Sequence, residues 1–172
     1  MEQPGCRFCN RSLSQTFVDL GMSPLSNSYV SKESLRAKEL TYPLHAFVCE
    51  SCFLVQLDEF ESPEFIFSDY SYFSSFSSSW LQHAKSYAEQ VIDRFAIDPN
   101  SHVVEIASND GYLLQNFVER GISVLGIEPA ANVAEVAREK GVPTRTVFFG
   151  QATAEQLVAE GAGADLLIGN NV

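Results

Sequence analysis

The sequence lacks any long hydrophobic run. No apolar stretch in its 172 residues approaches the roughly 20 residues that a membrane-spanning helix needs. The N-terminal stretch MEQPGCRFCN also lacks the apolar core of a secretion signal. These two absences predict a cytoplasmic protein with no membrane partner.

Basic residues are scarce. Lys plus Arg number 11 against 22 acidic residues, which gives a formal net charge of −11. A field of that sign repels polyanions and argues against a nucleic-acid partner. The best candidate for a basic patch is Lys32, Arg36 and Lys38, but Glu33 and Glu39 interrupt it. This mixture is more typical of a solvated helix face.

Cysteine is also rare, and none is left over from two C-x-x-C pairs. Cys6 and Cys9 form the first pair, Cys49 and Cys52 form the second, and 39 residues separate the two pairs. Each pair offers two thiolates from one tight turn, which suits a structural zinc site with four cysteine ligands. The alternative is four buried or redox-active thiols. His45 precedes the second pair, and we expect it to be packed or solvated rather than a ligand.

The chain divides by composition into three regions. Residues 1–60 contain both cysteine pairs and two strand-like segments, and form the predicted zinc-binding module. Residues 61–98 hold an aromatic and serine-rich segment followed by an amphipathic helix, for which Ser77 to Ser79 offer N-caps. Asp98-Pro99 ends that helix, and residues 99–172 form the third region.

In residues 99–172, short apolar segments alternate with helical ones. The expected strands are HVVEIA, ISVLGIE, TRTVFF and ADLLIGNNV. The helices expected between them are GYLLQNFVER, ANVAEVAREK and TAEQLVAE. This alternation predicts an α/β fold with a parallel sheet. Complete sheets of this kind have about five to seven strands. With four at most, we expect the chain to be part of a longer protein, or the rest of the sheet to be supplied from elsewhere.

The stretch EIASNDGYLL follows the first of these strands and predicts a ligand-binding turn at a helix N-terminus. A dinucleotide site would need the glycines of G-x-G-x-x-G to admit a pyrophosphate. Ala107 and Asn109 stand where the first two glycines would fall, and Gly111 lies one residue short of the third. A pyrophosphate is therefore disfavoured.

S-adenosylmethionine has no phosphate and carries a sulfonium cation, which suits an acidic residue at a strand end. Glu105 is that residue, and Glu128, beside Pro129 and 23 residues later, can accept the ribose hydroxyls. The backbone of the turn would contact the methionine portion, and its residues are Ala107, Ser108, Asn109, Asp110 and Gly111. The remaining candidates are two amide side chains after the last strand, Asn170 and Asn171. The alternatives are a salt bridge or cap for Glu105 and an ordinary helix N-terminal acid for Glu128.

Seven segments of the chain together resemble the sugar C-methyltransferases of deoxysugar pathways. They are CRFC, CESC, SNSYV, SDYSYFSSFSSSWLQHAK, EIASNDGYLL, GIEPA and ADLLIGNNV. The resemblance implies a zinc-binding module followed by a truncated, Rossmann-like class I methyltransferase domain that binds S-adenosylmethionine. Residues 99–172 would be the first half of that domain. A further C-terminal half would be missing.

This resemblance implies C-methylation of a nucleotide-linked keto-deoxysugar through an enolate. The family's essential histidine falls beyond residue 172, so we expect this chain alone to be inactive. A tyrosine of the aromatic segment lies near the sugar in that family, and Tyr70, or else Tyr72, would correspond. His83 is the remaining catalytic candidate. The alternatives are packing roles for all three residues.

Two other functions fit the same patterns. One is a zinc-ribbon module joined to a Rossmann-like domain that binds another nucleotide such as NAD, without methyl transfer. The other is a metal-stabilised scaffold with no enzymatic activity. Ligand titration and metal analysis separate these possibilities.

Overall fold

A computed structural model describes residues 4–170 and residue 172. The chain forms two compact units, Met1–Ser62 and Pro63–Val172. Across the described ranges, no helix combines the length and the apolar character required to cross a bilayer.

The first unit contains a three-stranded antiparallel sheet whose strands lie in chain order. Its strands are β1 (Gln15–Ser23), β2 (Tyr42–Val48) and β3 (Val55–Leu57). The β1 strand pairs with β2 from Gln15 opposite Val48 to Ser23 opposite Tyr42, with two irregularities in the register. The sequence patterns predict β2 and β3 but not β1, because the hydrophobic residues of β1 are solvent-exposed and show no buried face.

The interior of the first unit is very small. Its buried cluster consists of Cys6, Leu13 and Cys49, with Cys9, Cys52 and Phe47 packed around them. The predicted helix face around Arg36 is wrong, because residues 32–36 form exposed turns with hydrogen bonds such as Ser34 N to Ser31 O at 3.1 Å. Two cysteines thus supply two of the three buried hydrophobic residues in the described part of this unit.

The second unit contains a parallel sheet and the helices that flank it. Three helical segments precede the sheet: α1 (Pro63–Phe67), a 3-10 turn (Ser74–Phe76) and α2 (Ser78–Phe95). The remaining elements are β4 (His102–Ile106), α3 (Gln115–Val118), β5 (Ser123–Ile127), α4 (Ala131–Glu139), β6 (Thr144–Arg145), α5 (Gln151–Ala159) and β7 (Leu166–Gly169).

The strand order in the second unit is β6-β5-β4-β7, and all three pairings are parallel. Counted from β4, this order is 3-2-1-4, the order at the centre of a Rossmann-type sheet. Successive strands are added on one side of β4 up to β6, and β7 is then added on the other side of β4. Ligands of such sheets bind at the carboxyl edge beside the point where the strand order reverses. The predicted α/β class, with a zinc-binding module followed by a Rossmann-like domain, is confirmed.

Both faces of this sheet are covered. On one face α2, α3 and α4 pack over Val103 and Val124, and on the other α5 packs through Leu157 over Val104 and Leu125. The N-cap of α2 is Ser77, whose side chain accepts a hydrogen bond from Trp80 N at 3.3 Å. One of the three serines predicted to cap this helix therefore does so.

Two elements are shorter than the sequence patterns predict. The helix after the turn spans only Gln115–Val118, because Gly111 to Leu114 wind as turns before it. The third strand shrinks to Thr144–Arg145, since its following residues Val147 and Phe149 pack on the α5 side of the sheet instead of pairing.

Candidate functional site

The four cysteines of the first unit converge on one point. All four sulfur atoms lie within 4.8 Å of one another. Cys6 Sγ is 3.6 Å from Cys52 Sγ, and Cys9 Sγ is 3.5 Å from Cys49 Sγ. A tetrahedron with Zn–S bonds of about 2.3 Å has S···S edges of roughly 3.8 Å. The cluster is a zinc site, and four thiolates leave no open position on the metal, so the metal is structural.

Both cysteine pairs sit in turns with the same backbone pattern. In the first, Cys6 N donates to Arg11 O at 2.7 Å and Asn10 N donates to Cys6 O at 2.8 Å. In the second, the corresponding bonds from Cys49 N to Leu54 O and from Phe53 N to Cys49 O measure 3.0 and 2.8 Å. Asn10 and Phe53, each four residues after a cysteine, have positive φ angles of 58° and 63°. The chain therefore builds two equivalent metal-binding turns.

Hydrogen bonds and burial shift the pKa values of the thiols at the metal site. The Cys9 backbone N–H, followed by the Gln56 side chain, lowers the pKa of Cys6 to about 6. Gln56 Nε2 lies 3.2 Å from Cys6 Sγ, and its Oε1 accepts from Arg7 N at 3.0 Å. Although Leu54 N–H lowers the pKa of Cys52, burial and the neighbouring thiols Cys49, Cys6 and Cys9 raise it to about 12. Four thiolates repel one another until a cation neutralises them.

His45 is outside this cluster. Its Nε2 lies 2.9 Å from Thr16 Oγ1, and its ring stacks on Phe47 with centroids 4.1 Å apart. The packed role expected for His45 agrees with this placement.

In the second unit, the turn after β4 has positive φ angles at three positions, only one of which is glycine. Ala107, Asn109 and Gly111 have φ angles of 53°, 50° and 76°. Positive φ is unfavourable for alanine and tolerated by asparagine. At Gly111 a Cβ would also lie 3.0 Å from a Val142 methyl, so this position requires glycine.

Glu128, just after β5, holds this turn in place. Its Oε2 accepts from Asn109 N and its Oε1 from Ala130 N, both at 2.9 Å. Burial raises the pKa of Glu128 despite these two N–H donors. Each carboxylate oxygen retains one further lone-pair site, so Glu128 can still accept hydrogen bonds from a ligand.

Glu105, inside β4, is 1% exposed. Among the described residues, neither of its carboxylate oxygens has a hydrogen-bond partner. Burial, and secondarily the charge of Glu128, raises the pKa of Glu105 well above its ordinary value. Glu105 is not among the residues that line the cleft at the carboxyl ends of the strands, so its contact with a ligand stays a prediction.

The other turn residues make contacts within the fold. Ser108 is fully buried, and its hydroxyl lies against Gly126. Asp110 Oδ2 forms an ion pair with Lys140 Nζ, which lies 2.8 Å away. Gly111 packs against Val142 and Ala137. Of the five residues from Ala107 to Gly111, only Ala107 and Asn109 line the adjacent cleft.

That cleft has a volume of about 350 Å³ and lies at the carboxyl ends of β4, β5 and β7. Predicted site residues make up much of its wall: Tyr70, Tyr72, Ala107, Asn109, Glu128, Pro129 and Asn170. Asn171 lies outside the described residues. The structure therefore brings both candidate tyrosines together with the candidate ribose acid, Glu128.

His83 lines a neighbouring cavity of about 330 Å³. Its ring stacks on Trp80 with centroids 5.2 Å apart, and Trp80 stacks in turn on Tyr112 at 6.0 Å. Trp80, Tyr112 and Asn170 line both cavities. Burial, then the charge of Glu105, raises the pKa of Tyr112 to about 12. The catalytic role of His83 stays a prediction.

Several residues of these sites were not predicted. They are Gln56 at the metal site, and Phe67, Trp80, Tyr112, Phe148 and Phe149 in the cleft. The only signal for Gln56 was a polar residue inside the apolar, strand-like segment FLVQL, and its burial became visible only in the structure. The cleft aromatics carried none, because hydrophobic periodicity assigns such residues to the core.

Comparisons with known proteins agree with this picture. Residues 6–67 match a family described as "Putative zinc binding domain". The chain is also 30% identical over 164 residues to the C-methyltransferase NovU of Streptomyces niveus. The resemblance to C-methyltransferases is confirmed. The match covers 95% of this chain and 39% of that C-methyltransferase, so the chain spans about two-fifths of its length.

Solved methyltransferases are similar over part of the chain. One is CalS10, a SAM-bound amino pentose methyltransferase from Micromonospora echinaspora, with 25% identity, a TM-score of 0.34, and coverage of 42% of this chain and 34% of that one. Another is an RNA methyltransferase from Salinibacter ruber in complex with S-adenosyl-L-homocysteine, with 16% identity, a TM-score of 0.33, and coverage of 44% and 65%.

Proposed function

We propose that this chain is the zinc module and cofactor-binding portion of an S-adenosylmethionine-dependent C-methyltransferase that acts on a nucleotide-linked keto-deoxysugar. The observation that carries the proposal is the cleft at the carboxyl ends of β4 and β5, where Glu128 stands beside a turn that lacks glycine at two of its three positive-φ positions. Similarity to a C-methyltransferase over 95% of the chain supports it.

The cleft and the strand beside it fit the methyl donor in two respects. Glu105 lies in β4 directly before the cleft-lining residue Ile106, and its two buried carboxylate oxygens have no partners among residues 4–170 and 172, so a positively charged ligand that reached it would gain a counter-ion. Glu128 lines the cleft, and each of its carboxylate oxygens can accept one further hydrogen bond, which suits ribose hydroxyls. When bound, S-adenosylmethionine would supply an electrophilic methyl group on its sulfonium sulfur.

The residues of this chain would bind and orient rather than carry the main proton transfer. Removal of the proton beside the keto group requires a base, and the family resemblance places that base outside these residues. Tyr70 and Tyr72 line the same cleft as Glu128. A phenol hydroxyl at either position can donate a hydrogen bond to an enolate oxygen and stabilise its charge.

A substitution at Glu128 tests whether the cleft binds the methyl donor. Replacing Glu128 with Ala should weaken binding of S-adenosylhomocysteine by about 1–3 kcal/mol, because buried hydrogen bonds to ribose are lost. The emission of Trp80, the only tryptophan in the chain and part of the cleft wall, is a suitable readout. Glu135→Ala, an exposed position on α4, is the matched control.

The loss should extend to adenosine, which has the same ribose, and should be much smaller for L-methionine, which has none. An equal loss for L-methionine would mean that Glu128 supports only the turn and contacts no ribose.

A further inference from the structure

Side chains from the turn after β4 hold the segment that carries the two candidate tyrosines. We call residues 70–75 the tyrosine segment. Asn109 Nδ2 donates to Tyr72 O at 3.1 Å, and Asn109 Oδ1 accepts from Ser74 N at 2.8 Å. One amide group thus contacts the tyrosine segment on both sides of Phe73, as a neighbouring strand would.

Two further attachments flank this one. At one end, Asn132 repeats the pattern: its Nδ2 donates to Tyr70 O at 2.8 Å and its Oδ1 accepts from Tyr70 N at 3.2 Å. At the other end, Asp110 Oδ2 accepts from Ser75 N at 3.3 Å and pairs with Lys140. Asn109 lies between these attachments and is 8% exposed, whereas Asn132 is exposed.

The conformation of Asn109 explains why asparagine stands there. Its φ of 50° lies in the left-handed region, which glycine adopts freely and asparagine tolerates better than most residues. Glycine at this position would give the same turn with no side chain. Asparagine keeps the turn and adds an amide that reaches residues 35 and 37 positions earlier in the chain.

We infer that Asn109 is a positioning residue whose side-chain amide fixes the tyrosine segment as a wall of the cleft. Its backbone N–H is already held by Glu128, so the same residue joins the candidate ribose acid to the tyrosine segment. A wall that is ordered before the ligand arrives lowers the entropic penalty of binding. The inference rests on the proposed function only where it concerns ligand affinity.

The test compares Asn109→Gly with the wild-type chain. Glycine retains the positive φ and removes only the amide. Hydrogen–deuterium exchange, measured by mass spectrometry without ligand, should become about tenfold faster or more in peptides covering residues 70–75, because the Ser74 N–H loses its acceptor. Exchange in β4 and β5 should not change.

Two variants sharpen this comparison. Ala107→Gly alters another positive-φ position of the same turn that has no polar side chain, and should leave exchange in the tyrosine segment unchanged. Asn109→Asp keeps an acceptor for Ser74 N–H but loses the donor to Tyr72 O, so it should show a smaller increase than Asn109→Gly.

Unchanged exchange in Asn109→Gly would overturn the inference. The same variant should bind S-adenosylhomocysteine about three- to tenfold more weakly, and wild-type affinity in a variant with accelerated exchange would overturn the role in binding. If the wild-type chain binds no S-adenosylhomocysteine, the proposed function fails, and the exchange result alone decides the positioning role.

Discussion

Removal of zinc should unfold the unit Met1–Ser62 and leave Pro63–Val172 folded. In the described part of the first unit, the buried cluster is formed by Cys6, Leu13 and Cys49, and two of these are metal ligands. Binding of zinc to four thiolates contributes on the order of 10 kcal/mol, which replaces the hydrophobic core that so short a unit lacks. The second unit has its own core on both faces of the sheet and no cysteine.

This expectation can be measured unit by unit. A chelator should abolish amide protection in peptides of the first unit and leave protection in β4 and β5 intact. Cys49→Ser should have the same effect without chelator. Ser51→Ala is the matched control, because it lies in the same turn and retains its backbone N–H groups. Full protection in the first unit after verified loss of the metal would contradict a structural role for zinc.

The free energy of unfolding should depend on pH through Glu105. Because burial raises the pKa of Glu105 above its ordinary value of 4.5, the folded chain keeps a proton that the unfolded chain loses as the pH rises. The free energy of unfolding should therefore fall with rising pH, by about 1.4 kcal/mol per pH unit, between the unfolded and folded pKa values. Glu128 and Tyr112 face Glu105, and ionisation of either would raise its pKa further.

Glu105→Gln removes the ionisable group and keeps its shape. The stability gained by this variant over the wild type should grow as pH increases from 5 to 8, measured by urea unfolding followed through Trp80. Glu139→Gln, at an exposed position on α4, controls for the loss of a surface carboxylate. A stability difference that is the same at pH 5 and pH 8 would show that Glu105 is ionised at both.

The metal site was predictable because its geometry is local. A C-x-x-C spacing places two thiols on one tight turn, and two such turns in one chain indicate four ligands for one ion. The thiol partner Gln56 was harder to identify, since it acts on Cys6 from 50 residues away. The β1 strand gave no periodic signal because its side chains have no buried face.

At the cleft, the sequence placed Glu128 and the turn correctly at one sheet edge, because strands in a parallel sheet end on the same side. It did not reveal that the side chains of Asn109 and Asp110 bind the tyrosine segment. Those contacts bridge 35 residues, and nothing in a single sequence records such pairings. The three positive φ angles at Ala107, Asn109 and Gly111 show that a glycine-like turn forms without most of its glycines.

We propose that a cationic methyl donor, not a dinucleotide, occupies the cleft beside Glu128. Titration calorimetry of the chain with S-adenosylmethionine, S-adenosylhomocysteine and NAD tests it directly. We expect saturable binding of the first two ligands, weakened by Glu128→Ala, and no measurable heat with NAD. Saturable binding of NAD, together with no binding of either sulfur compound, would contradict the account.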